Sequence, residues 1–160
     1  MYNKWIELSL GLTTFLSGLY GGIGFFTLMG GNPALERLSP RGFAEYWQQI
    51  DSFMGARMPV FGPVLLLSVL LSAMLLLKEW RTLPFWLMLS AFSVLVGDVA
   101  FTLSVNHPLN RLIQGWDLNS LPDNVEQIRQ KVVKAFNVRL LFMLGAFALV
   151  ILATWTRHKR

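Results

Sequence analysis

Residues 57–84 read RMPVFGPVLLLSVLLSAMLLLKEWRTLP. An uncharged, leucine-rich run lies between Arg57 and Lys78, and a second begins after Arg81 with Pro84 in its first turn, where a missing N–H costs nothing. Each run approaches the roughly 20 apolar residues that carry an α-helix across a bilayer. The link from Lys78 to Leu83 is so short that the two helices must be antiparallel neighbours, as in an up-and-down bundle.

Two further runs flank this pair. Leu8 to Met29 follows Lys4 and Trp5 and stops at the turn signal Gly30-Gly31-Asn32-Pro33. It exceeds the apolar core of a signal peptide and no small-residue cleavage site follows cleanly, so it reads as a retained span. Leu140 to Thr156 ends in the basic tail Arg157-His158-Lys159-Arg160. The predicted fold is therefore all-α: one integral membrane domain, 1–160, with spans at about 6–29, 58–77, 83–105 and 138–156. With 54% hydrophobic and 14% charged residues among 160, the chain has room for four crossings and no separate soluble domain.

Helices three and four extend past the hydrocarbon. Val105 to Trp116 stays helix-compatible despite Pro108, and Asp123 with Glu126 three residues later makes a capping-box-like start that runs into the last span. A helix from Asn124 to Trp155 would measure on the order of 48 Å, against a hydrocarbon core of about 30 Å. In the first loop, Ser39 and Pro40 start a helix in which Phe43, Tyr46, Trp47, Ile50, Phe53 and Met54 recur three and four apart. This amphipathic helix, about 40–55, carries Glu45, Gln48, Gln49 and Asp51 on its other face, which favours docking against the two arms over lying in the interface.

The net charge of +5 does not point to nucleic acid, because the basic residues flank apolar runs and do not form a patch with interleaved aromatics. It points to orientation. Lys4, Lys78, Arg81, Arg157, Lys159 and Arg160 meet only Glu7 and Glu79 on the face that holds both termini, which makes that face cytoplasmic. The opposite loops hold eight basic and six acidic residues, so charge density over short segments decides, not the raw count. Trp5, Trp80 and Trp155 fall on the same boundary, as an aromatic belt requires.

The absence of cysteine excludes disulfides, Fe–S clusters and thiol catalysis. No glycine-rich phosphate loop or nucleophile elbow occurs, and His158 lies at the face opposite His107, so no paired-histidine haem site forms. Asp98 and His107 stand roughly 13 Å apart along one helix, too far to share an ion. The sequence calls for no cofactor and no metal.

Counting inward from Trp80 and Trp155 brings Asp98 and Arg139 to similar depth, where an ion pair serves either a structural or a catalytic purpose. Asp98, Thr102, Asn106 and Asn110, each four apart, make a polar stripe that faces the bundle interior. It either binds a ligand or joins helices by hydrogen bonds. Gln130, Lys134 and Asn137 face it from helix four. His107 is the one histidine outside the tail and the best candidate base, with Pro108 disturbing its helix; the plainer role is a hydrogen-bonding residue. Gly18 and Gly22 form a small-xxx-small pair, more a packing face than a site.

The segment Val105-Asn106-His107-Pro108-Leu109-Asn110, then Trp116, then Phe136-Asn137-Val138-Arg139, resembles the anthrone oxygenase-like family of small four-helix membrane proteins. A glycine-containing first helix and Trp47-Gln48-Gln49-Ile50 before helix two extend the likeness over most of the chain. Many bacterial members have no assigned activity; fungal members are associated with oxidising anthrones by O₂ without an evident cofactor. The chain departs from the family in carrying Val132 and Val133 where members often have a tryptophan. The resemblance implies an oxygenase site at Asn106, Pro108, Asn110, Trp116, Asn137 and Arg139. His107 or Asp98 would then be the base, Asn106, Asn110 and Arg139 would stabilise an oxyanion, and Trp47 and Trp116 would wall the pocket.

Two readings follow. One is a membrane oxidoreductase acting on a small apolar aromatic or quinol-type molecule in the bacterial inner membrane; the other is a non-enzymatic scaffold that binds a partner or lipid. A cavity large enough for a tricyclic ligand favours the first, a tightly filled bundle the second. The absence of an inverted repeat and of paired broken segments argues against a transporter, though a homo-oligomer could still supply a path.

Overall fold

The computed structural model describes residues 2–159. Its helices are α1 (Tyr2–Phe26), α2 (Asn32–Arg37), α3 (Pro40–Leu75), α4 (Leu83–Phe101), α5 (His107–Gln114) and α6 (Val125–His158). Wide π turns at Thr27–Gly31 and Thr102–Asn106 splice α1 to α2 and α4 to α5, and a 3₁₀ turn at Leu77–Glu79 joins α3 to α4. Four continuous rods result, each long and apolar enough to cross a membrane. They pack in a ring in which α1 touches α3, α3 touches α4, α4 touches α6 and α6 touches α1. The all-α bundle expected from the sequence is the observed fold.

Several local expectations change. The amphipathic segment and the second span are one helix, Pro40–Leu75, with Pro59 and Pro63 inside it. Each proline withholds the N–H that the carbonyl of Gly55 or Pro59 would take, which costs a hydrogen bond without ending the helix. The turn expected at Gly30-Gly31-Asn32-Pro33 is a π turn, and the rod runs on to Arg37. Asp123 does not cap α6: Asn124 holds that position, and no side chain bonds there. Ser39 does cap α3, accepting from Gly42 N–H at 3.0 Å.

Both π turns precede a proline one residue into the next helix, Asn32-Pro33 and His107-Pro108. A proline ring clashes with the carbonyl four residues earlier, and widening the turn by one residue relieves the clash. Asn32 N–H reaches back to Thr27 O, and His107 N–H to Thr102 O. The disturbance expected at Pro108 takes this form, whereas the matching one in the first rod was not foreseen.

The two ends of the bundle differ. Towards the α3–α4 link, Ile6, Leu10, Val69, Leu76, Met88 and Val150 form a dry core. Hydroxyls cross-link the rods there: Ser9 with Ser72 at 2.7 Å, Thr13 with Ser72 at 2.9 Å and Thr14 with Thr154 at 3.0 Å. At the other end a separate cluster of Leu35, Phe43, Trp47, Ile113, Val125 and Val132 binds α2, the start of α3, α5 and the start of α6 into a collar. Buried Arg129 braces it, donating to the Glu36 carbonyl at 3.1 Å with its guanidinium 5.2 Å from the Phe43 ring centre. The amphipathic part of α3 therefore docks.

Glycines in α1 separate packing from open space. A Cβ at Gly21 would come within 3.1 Å of the Cβ of Phe147 on α6, whereas at Gly22 it would meet nothing within 4 Å. Gly18 also faces Phe147, so the close-packing pair is Gly18 with Gly21, and Gly22 is not part of it. Gly21→Val should destabilise the detergent-solubilised protein by about 1–3 kcal/mol through overpacking, while Gly22→Val leaves its melting temperature nearly unchanged. Thermal unfolding of the two variants checks this; equal melting points would mean that α1 and α6 do not pack as described.

Candidate functional site

Between the dry core and the collar, α3 stands off the other rods and leaves a cavity of about 1090 Å³. The α3 wall is one helical face, with Trp47, Ile50, Asp51, Met54 and Met58 repeating at helical spacing and Gly55, Pro59, Gly62 and Pro63 beside them. Opposite lie Tyr20, Ile23 and Thr27 of the first rod, the polar stripe of the third, and Phe136, Arg139 and Met143 of α6. The lining is mostly apolar with a few convergent polar groups, the usual make-up of a small-molecule site.

Asp98, Thr102, Asn106 and Asn110 all line this cavity, as their spacing predicts. Residues four apart drift around an α-helix of about 3.6 residues per turn, and the wide turn at Thr102–Asn106 takes up that drift. At the deep end, Arg139 Nε donates to Asp98 Oδ1 at 3.0 Å and Nη2 to Asp98 Oδ2 at 3.4 Å. The Tyr20 hydroxyl donates to Asp98 Oδ2 and accepts from Arg139 Nη2 at 2.9 Å. Asp98 is 1% exposed, so its charge is removed from water and matched inside the protein. The ion pair inferred from depth is formed, and Tyr20 completes a triad across the first, third and fourth rods.

Higher up, polar atoms lack partners. Asn32 Oδ1, Thr102 Oγ1 and Asn106 Oδ1 are buried without a hydrogen bond among the described residues, and all three residues line the cavity. A buried acceptor left unpaired costs about 1–3 kcal/mol, which a bound hydroxyl or water would recover. Asn32 is fixed by its amide nitrogen, which donates to Asn137 Oδ1 at 2.8 Å. His107 lines the cavity at its exposed margin, and its side chain makes no hydrogen bond or ion pair among the described residues.

The other expected site residues divide. Asn110 is a clamp at the cavity edge: its oxygen accepts from Trp47 Nε1 at 3.2 Å and its amide donates to Asp51 Oδ1. Trp47 lines the cavity with Phe136 edge-on to it, ring centres 5.3 Å apart. Trp116 does not line it; its ring packs in the collar 6.4 Å from Phe43 and its carbonyl accepts from Gln48 at 3.0 Å. Asn137 stays outside the lining and acts through Asn32. Gln130 and Lys134 are also absent from the lining, so the facing polar row on α6 does not form there. Sequence reasoning missed Tyr20, Asn32 and Asp51. A hydroxyl-bearing aromatic beside the glycines of the first helix was the available signal for Tyr20.

Removing one member of the triad should strand a buried charge. Arg139→Met is expected to cost on the order of 3–5 kcal/mol and Tyr20→Phe about 1 kcal/mol, with the double variant Asp98→Asn/Arg139→Met recovering much of the loss. Unfolding of the three variants in detergent measures the coupling; additive losses would mean that the pair is not engaged.

No curated protein and no solved structure matches the chain. One family model does: that of anthrone oxygenase, over residues 51–149, which takes in α3 from Asp51 onward, the polar stripe and Arg139.

Proposed function

Because the chain belongs to the anthrone oxygenase family, we propose that it oxidises a small apolar aromatic or quinol-type substrate with O₂ inside this cavity. The observation that carries the reading is the cavity itself: it is lined by aromatic and thioether side chains and holds three buried polar atoms that nothing among the described residues satisfies. At about 1090 Å³ it has room for a tricyclic ring system, whereas a scaffold held together by its own polar stripe would be filled. We assign the protein to a bacterial inner membrane with both termini cytoplasmic, which puts the cavity in the outer half of the bilayer.

The chemistry suits these residues. A methylene between two aromatic rings and para to a carbonyl-bearing carbon is acidic, and His107, whose imidazole has no partner among the described residues, is the base best able to take its proton. Asp98 is the weaker base because Arg139 and Tyr20 already hold both its oxygens. The resulting carbanion spreads its charge onto the carbonyl oxygen, which Arg139 stabilises through Nη1, the guanidinium nitrogen outside the triad. One electron passes to O₂, the carbon radical and superoxide combine, and the protonated peroxide loses water. In sum, CH₂ and O₂ become C=O and H₂O, so the balance requires no further reductant. Low water content in the apolar lining protects the carbanion from reprotonation.

Oxygen uptake by the purified protein with an anthrone, followed with the absorbance of the quinone formed, tests this. One O₂ should be consumed per quinone, with His107→Ala slower by about 10²–10⁴-fold. Gly62→Leu, at a lining position where a Cβ meets nothing within 4 Å, should abolish turnover without unfolding the chain. Uptake that is unchanged in His107→Ala and Asp98→Asn would falsify the assignment.

A further inference from the structure

Beside the buried polar stripe runs a second one. Val99, Leu103, His107 and Arg111 are also four apart, and all four line the cavity while remaining exposed. Val99 is 40% and Leu103 58% exposed, so these side chains touch both the cavity and the surroundings of the bundle. They form its lip. The lip is graded, with apolar Val99 and Leu103 on the hydrocarbon side and His107 and Arg111 further out, a rise of roughly 18 Å from first to last.

The two ends of the cavity are closed. Above, the collar laces α3 to α5: Gln48 donates to the carbonyls of Ile113 at 2.9 Å and Trp116 at 3.0 Å, and Gln114 donates to Gln48 O at 2.9 Å and Asp51 Oδ2 at 3.1 Å. Below, the hydroxyl cross-links and dry core shut the bundle. Between them, among the described residues, no hydrogen bond or ion pair joins α3 to residues 99–107. The facing wall of α3 offers Met54, Met58, Gly55 and Gly62, side chains that yield easily or are absent.

We propose that the ligand enters sideways from the bilayer, through the slit between α3 and α4, with Leu103 as its threshold. His107 and Arg111, at headgroup level, receive the polar end of a flat amphiphilic molecule while its rings slide past Val99 and Leu103. Asp51, which faces the same margin, is engaged by Asn110 and Gln114 and so does not repel that end as a bare carboxylate would. This inference rests on the reading that the cavity takes an aromatic ligand. It adds the route and the residues that control it.

The absence of cysteine makes the threshold addressable. Leu103→Cys, an exposed position, is labelled with a bulky maleimide in detergent and reconstituted into phospholipid nanodiscs; unlabelled Leu103→Cys and labelled Leu19→Cys, on the exposed α1 flank of the cavity, are the controls. Binding of 1,8-dihydroxyanthraquinone is followed by stopped-flow quenching of tryptophan fluorescence. The label at Leu103→Cys should slow association and dissociation together by roughly tenfold or more and leave the equilibrium affinity within about twofold, because a blocked path changes rates and not the bound state. Unchanged rates, or slowing at Leu19→Cys alone, would overturn the route while leaving the cavity reading intact. A weakened affinity with unchanged association would show that the label reaches the bound ligand, and that too overturns the threshold assignment. No binding by the unlabelled protein would defeat both the cavity reading and the route.

Discussion

A carboxylate placed among apolar helices must be neutralised where it stands, and the pairing of Asp98 with Arg139 sets the arrangement of everything near it. The bond spans α4 and α6, and Tyr20 ties the same two groups to α1. Three of the four rods are thereby fixed at one depth. α3 contributes nothing to this knot, and the cavity opens on the side where it stands away. The guanidinium that holds the bundle together is thus also part of the cavity wall.

The two π turns show how proline can shape a membrane helix without breaking it. Pro33 and Pro108 each force one extra residue into the turn before them, and the rods continue beyond. The gain is positional. The third rod presents two four-residue repeats side by side, one buried and polar, the other exposed and graded from apolar to basic. In the first rod the widened turn delivers Asn32 to the cavity, held from behind by Asn137. Prolines 59 and 63 act differently: they smooth the facing wall of α3 and remove two backbone donors from it.

What the sequence revealed follows from what periodicity can carry. Long apolar runs, the short link at Lys78 to Leu83 and the stripe from Asp98 to Asn110 are one-dimensional patterns, and they translate directly into rods and faces. Depth counting from Trp80 and Trp155 was enough to bring Asp98 to Arg139. Features decided by contact between distant segments were not legible. Trp116 resembles a pocket wall in sequence but finds Phe43 in the collar, and Asn137 looks like a ligand-binding residue but spends its oxygen on Asn32. The continuity of α3 through Arg57 and Pro59 was hidden because charge followed by proline ordinarily marks a boundary, and here docking on the collar overrides it. Tyr20 was missed because a lone tyrosine has no period to mark it.

The unequal packing of the two ends gives the molecule a sidedness. Serine and threonine cross-links and close-fitting aliphatic residues fill the side of the α3–α4 link, whereas His107 stands at an exposed margin on the other. The cavity thus communicates with titratable surface side chains at the collar end, His107 and Arg111, while the packed end insulates it from the opposite face.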